Sequence, residues 1–110
     1  MLAELAVTDL GVITDLRLVL GDGMTALTGE TGAGKTLIVD AIDLLSGGRA
    51  DADAVREGAA EAVVEGRFVS GDDEVVVRRV VPATGRSRAY VDGRMATVRS
   101  LADVVARHVE

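Results

Sequence analysis

Eight consecutive residues, Gly29-Glu30-Thr31-Gly32-Ala33-Gly34-Lys35-Thr36, constrain this chain more than any other stretch, because they satisfy G-x-x-x-x-G-K-S/T at every fixed position. The glycines of such a loop let the backbone wrap so tightly that successive N–H groups converge on phosphate oxygens, where a side chain at positive φ would clash. Lys35 places a compact ammonium on the β- and γ-phosphates, and the Thr36 hydroxyl suits Mg²⁺. A helix starting here adds the positive end of its dipole. The loop needs a frame, a buried strand before it and a helix after it. Both are legible. Residues 24–28 form a short apolar run of strand length. Over residues 35–46, Leu37, Ile38, Ala41, Ile42, Leu44 and Leu45 recur at helical spacing, and Gly47-Gly48 ends the run. The alternative, a glycine-rich turn that binds nothing, has no use for the Lys-Thr pair.

Composition sharpens this. Lys35 is the only lysine among the 12 basic residues, the others all being arginine. With 18 acidic residues the net charge is −6, which argues against a generally basic nucleic-acid binder. The 110 residues suffice for one domain at most, and 48% hydrophobic with 27% charged residues excludes wholesale disorder. The aromatic residues are Phe68 and Tyr90 alone, so the core must be aliphatic and its stability modest. Absence of cysteine removes disulfides, thiolate metal sites and cysteine nucleophiles. The lone histidine, His108, makes neither a metal site nor a catalytic triad. No basic leader and no run of about 18 apolar residues is present, so a cytoplasmic protein with no membrane partner is expected.

Around the loop the chain reads as antiparallel strands. Residues 2–8 and 13–20 form a hairpin turning at Asp9-Leu10-Gly11. Residues 49–60 read as an irregular loop. Strands follow at 62–69 and 74–81, then at 87–91 after a turn over 82–85, with Asp92-Gly93 as a further turn. A last helix starts at Thr97 as N-cap and turns Val98, Leu101, Val104, Val105 and His108 inward. Parallel strands alternating with helices, as in a small kinase or GTPase, are not what this order describes.

Residues 1–10, 23–36 and 40–49 resemble the start of the RecN family, bacterial DNA repair ATPases of the SMC group. Glu30-Thr31 is the form of that family, where SMC and RecF heads usually carry Pro-Asn, and Thr36 in place of the commoner serine keeps the hydroxyl. Residues 85–94 resemble the segment that leads to the family's glutamine loop. The resemblance covers essentially the whole chain but about a fifth of a family member. It implies an α/β fold, a P-loop NTPase, with residues 1–110 as the N-terminal half-lobe of an ABC/SMC-like ATPase head with an antiparallel β-layer. It implies ATP and Mg²⁺ as cofactors, held by Gly29, Glu30, Thr31, Gly32, Ala33, Gly34, Lys35 and Thr36, with Thr36 on the metal. The implied partners are the C-terminal half of the same head, a second head joined through ATP, DNA, and RecA. The implied role is recombinational repair of double-strand breaks, in the cytoplasm and at the nucleoid after damage. The coiled coil, signature motif and Walker B acids of the family lie beyond residue 110, so the chain alone is expected to expose apolar edges and to lack turnover. Alternatives are a head of another SMC or RecF type, a phosphate-binding module without hydrolysis, or a gene remnant.

Two arginine features stand apart. Between Arg78 and Arg99 lie six arginines and a single acid, Asp92, and a regular strand over 87–91 would put Arg86, Arg88 and Tyr90 on one face. That face suits a DNA backbone, but a solvated face pairing with acids of the same head is the favoured reading. Arg56 is similar in placement to an arginine that SMC heads carry near nucleotide and DNA, and Arg49 competes for that role.

Overall fold

The computed structural model describes residues 1–19 and 32–108. They form a six-stranded antiparallel sheet with helices against one face. The strands are β1 (Leu2–Leu10), β2 (Ile13–Val19), β3 (Glu61–Ser70), β4 (Asp73–Pro82), β5 (Arg88–Val91) and β6 (Arg94–Ala96), in spatial order β2-β1-β3-β4-β5-β6. The helices are α1 (Gly32–Leu45) and α2 (Val98–His108), with a short 3₁₀ turn at Ala52–Ala54.

Period-two alternation builds the covered face. Leu5 and Val7 of β1 lie opposite Gly66 and Val64 of β3, and Val77 and Val75 of β4 lie opposite Gly66 and Phe68. Their side chains meet Ala41, Leu44 and Leu45 of α1 and Leu101 and Val105 of α2. Gly66 breaks the apolar run of β3 for a reason of space: a Cβ there would come within 2.7 Å of Leu45 Cδ1. The missing side chain lets α1 lie down on the sheet.

Both helices end as their sequences indicate. At the close of α1, Gly47 N–H donates to Leu44 O at 3.2 Å and Gly48 N–H to Asp43 O at 2.8 Å. This is a Schellman pair, and Gly47 at φ 94° supplies the conformation it requires. Thr97 Oγ1 accepts from Ser100 N–H at 3.0 Å, which makes Thr97 the N-cap of α2. Leu101 and Val105 are buried, while Val98, Val104 and His108 are half-buried.

Several expectations shift. The helix after the loop begins at Gly32 rather than at Lys35, so three motif residues that read as loop are already helical. The strand expected over 87–91 starts at Arg88, and Arg86 lies outside it, in the irregular stretch that precedes the strand. The segment 92–97 holds a short strand as well as a turn: Asp92-Gly93, at φ 50° and 83°, closes a two-residue hairpin whose return strand is β6. The loop 49–60 is ordered by its 3₁₀ turn and by a bridge from Leu10 to Val55. The strand expected over 24–28 and the motif residues Gly29, Glu30 and Thr31 lie outside the described residues.

Candidate functional site

The first turn of α1 is made by Gly32, Ala33, Gly34 and Lys35, the last half of the phosphate-loop motif. The first four N–H groups of a helix have no partner inside it, so this turn offers donors and the positive dipole end at the position where the motif needs them. The donor set fits a triphosphate with magnesium: main-chain N–H groups, one ammonium from Lys35 and one hydroxyl from Thr36. The rest of α1 fixes the direction of that turn. Its inner side is held on the sheet by Ala41, Leu44 and Leu45, and Leu37 lies against the β1–β2 turn, where a Cβ on Gly11 would meet Leu37 Cδ2 at 2.8 Å.

The far end of α1 is held by a buried arginine. Arg79, inward-facing on β4, is 2% exposed. Its guanidinium donates to Leu44 O and Gly48 O, both at 2.9 Å, and to Ser87 Oγ at 3.1 Å. A cation at the carbonyl end of a helix is favourable with the dipole, and the same burial pushes the Arg79 guanidinium below its usual range, against a smaller opposing influence of Asp43. Sequence reasoning counted Arg79 only within the local excess of arginines between Arg78 and Arg99. The signal was its even place in the β4 alternation Val75, Val77, Arg79, Val81, which puts it on the covered face.

The remaining arginines sort by face. On the uncovered side of the sheet, Arg67 binds Glu4 at 3.1 Å and Glu74 at 3.3 Å, and the bond to Glu4 is the main cause that raises its guanidinium above the ordinary value. Arg17 also reaches Glu4, at 3.5 Å, and Arg78 stacks over the Tyr90 ring at 4.8 Å. Arg88 pairs with Glu61 at 3.2 Å, which is the favoured strand-face reading. Arg86 is exposed and away from that pair. Arg56 pairs with Asp9 at 3.1 Å, while Arg49 borders a cleft of about 340 Å³ between α1 and the 3₁₀ turn, together with Asp40, Asp43, Asp51 and Asp53. Among the described residues no group of acids or histidine is arranged to hold a metal ion. Nor is any helix long and apolar enough to cross a membrane.

An antiparallel sheet carrying a helix that grows out of a phosphate loop defines an ATPase head of the P-loop NTPase fold, and the chain belongs to the AAA domain family, which it matches over residues 5–100. Solved SMC heads share this fold. A structure described as "Structural biochemistry of ATP-driven dimerization and DNA stimulated activation of SMC ATPases" superposes with a TM-score of 0.79 at 26% identity, covering 96% of this chain and 77% of that one. The Smc head of Pyrococcus furiosus, solved with an extended coiled coil and bound to the C-terminal domain of ScpA, gives 0.81 at 27% identity over 96% of this chain and 32% of that one. In sequence the chain is similar to the DNA repair protein RecN of Streptomyces coelicolor, 49% identical over 89% of this chain. The resemblance read from Glu30-Thr31 and its surroundings is therefore borne out. The chain spans 20% of the length of that relative.

Proposed function

We propose that this chain binds ATP with Mg²⁺ through Gly29, Glu30, Thr31, Gly32, Ala33, Gly34, Lys35 and Thr36, as the phosphate-loop part of a RecN-type ATPase in recombinational DNA repair. The observation that carries the reading is the start of α1 at Gly32, inside the motif, on a sheet shared with SMC heads. The main-chain N–H groups of the loop take the phosphate oxygens, Lys35 neutralises the β- and γ-phosphates, and Thr36 supplies its hydroxyl to the metal. The metal, when bound, would offset charge on the β- and γ-oxygens. Arg56 contributes a further phosphate contact, to nucleotide or DNA.

The wider assembly belongs to the same proposal. Val39 and Ile42 on the outer side of α1 are 64% and 38% exposed, which suits cover by the C-terminal half of the head. A second head would meet this one through ATP, in line with the ATP-driven dimerisation named for the SMC relative. DNA would be met through Arg86 and Arg88, RecA is the further partner, and the setting is the cytoplasm and nucleoid. Calorimetry with Mg·ATP tests the core of the reading. Saturable uptake that disappears in Lys35→Ala is the expected result, and uptake of equal strength in both proteins overturns it. No turnover is expected from these 110 residues alone; phosphate release that vanishes in Lys35→Ala would contradict that.

A further inference from the structure

Asp9 sits at φ 56°, in the left-handed region that an L-residue enters at a cost. Strict alternation after Ala3, Leu5 and Val7 would turn the Asp9 carboxylate into the core. The kink turns it out and seats Leu10 inside, fully buried. The outturned residue then holds Arg56 twice. Asp9 O accepts the Arg56 main-chain N–H at 2.9 Å, and Asp9 Oδ1 accepts Nε–H at 3.1 Å. Beside it Gly11 N–H donates to Ala54 O at 2.7 Å, and Leu10 bridges Val55. The loop that carries Arg56 is thus fastened to the end of β1 by main chain and by charge.

That grip uses one nitrogen. The two terminal nitrogens of Arg56 have no hydrogen bond among the described residues, and the side chain is 42% exposed. A carboxylate that served only to neutralise an arginine would be expected to take its two-nitrogen edge, the stronger geometry. Here the acid takes the hydrogen bond of Nε and leaves the terminal pair without one. Such a guanidinium has its orientation set in advance and its paired donors open, which is the form that fits two oxygens of a phosphate.

We propose that Asp9 is a positioning residue, which locks Arg56 through Nε so that its terminal nitrogens form a preset fork for a phosphate group. The phosphate belongs to a nucleotide or to a nucleic-acid backbone. The proposal rests on the reading of Arg56 as a phosphate contact and adds the residue that orients it. It also gives the left-handed conformation of Asp9 a use: without the kink the carboxylate could not reach Nε and fill this role.

The test titrates Mg·ATP and, separately, a fluorescein-labelled DNA duplex into the wild-type chain and variants. Asp9→Gly removes the side chain where glycine accepts the backbone, and Asp9→Asn removes the charge where asparagine also tolerates it. Arg56→Ala is expected to weaken one of the two ligands about tenfold, as loss of charge-assisted bonds does. Both Asp9 variants should weaken that same ligand about threefold to tenfold, and Asp9→Gly combined with Arg56→Ala should bind no more weakly than Arg56→Ala alone. The ligand that responds tells nucleotide from nucleic acid. Exchange of the Arg56 Nε proton with water, followed by NMR, should be slow in wild type and fast in Asp9→Gly. Arg56→Lys, which leaves β1 untouched, should lose as much as Arg56→Ala, since an ammonium offers no second edge.

Wild-type affinity in the Asp9 variants, additive losses, or full binding by Arg56→Lys would each overturn the proposal. Mg·ATP binding lost in Lys35→Ala but intact in every Asp9 and Arg56 variant, with duplex binding also intact, overturns it while the nucleotide reading stands. A folded wild-type chain that takes up neither ligand sinks both.

Discussion

Replacing Arg79 by methionine isolates the contribution of one buried cation to the anchoring of α1. The methionine fills much of the same space, so the change removes hydrogen bonds more than volume. Three are lost, to Leu44 O, Gly48 O and Ser87 Oγ. Bonds from a charged donor contribute about 1.5–3 kcal/mol each when deleted singly. Relief of the buried charge opposes that loss, and here the relief is real, because among the described residues Arg79 Nε has no partner and the guanidinium makes no ion pair. Taking one partner from a buried charged arrangement costs about 3–5 kcal/mol where both sides are satisfied. With one nitrogen unsatisfied, about 2–4 kcal/mol is the expected loss for Arg79→Met. Urea unfolding followed by far-ultraviolet circular dichroism reads it directly. Arg79→Lys should fall between the two proteins. The pH dependence has a definite sign. A cation whose folded value is lowered disfavours folding below that value, and the penalty is relieved as pH rises from the folded toward the unfolded value. Because a guanidinium keeps its proton throughout the ordinary pH range, the loss in Arg79→Met should be constant from about pH 5 to 9. A loss under about 0.5 kcal/mol, the scatter of ordinary surface substitutions, would refute the reasoning.

Gly66→Val should destabilise by about 1–3 kcal/mol through overpacking against Leu45, measured by the same unfolding experiment, and a neutral result would mean that α1 does not depend on that close approach. Thr97→Ala should cost about 1 kcal/mol by removing the α2 cap, with Thr97→Ser near wild type. Glu61→Ala should change stability by no more than about 1 kcal/mol, since its bond to Arg88 joins two half-exposed groups; a larger loss would show that the pair is not a simple surface contact.

The parts of this architecture that were legible are those whose cause is local. Thr97 caps a helix because its hydroxyl reaches the N–H three residues on, and Gly47-Gly48 ends one because the Schellman pair needs positive φ. The alternation in β1, β3 and β4 reports a sheet covered on one side. Other features depend on partners far along the chain. Arg79 looks like its neighbour Arg78 until strand phase separates the two, one into the core and one over Tyr90. The helix start at Gly32 was missed because glycine is a poor helix former, and a tertiary anchor further along α1 overrides that preference. β6, three residues long, has no period of its own and exists through the Asp92-Gly93 turn, whose Asp92 also accepts from Val76 N–H at 3.0 Å. The phosphate-loop motif is read from spacing alone, since the chemistry it calls for lies in the main chain and in two side chains.

The arginines also bear on how this chain could meet DNA. Arg17, Arg67 and Arg88 are engaged by Glu4, Glu74 and Glu61, Arg56 by Asp9, and Arg79 by helix carbonyls. The local excess of basic residues between positions 78 and 99 therefore overstates the free positive charge there. The side chains of Arg86, Arg94 and Arg99 carry no ion pair or hydrogen bond among the described residues, and all three residues are exposed. Each phosphate that such a group neutralised would add about −0.9 to the slope of log affinity against log salt on duplex DNA. Arg88 would first have to leave Glu61, so its contribution to affinity is reduced by that exchange, whereas Arg86 has nothing to give up. If DNA is met on this edge, as proposed, Arg86 would engage it before Arg88, an order that the strand pattern alone, placing the two on one face, did not contain.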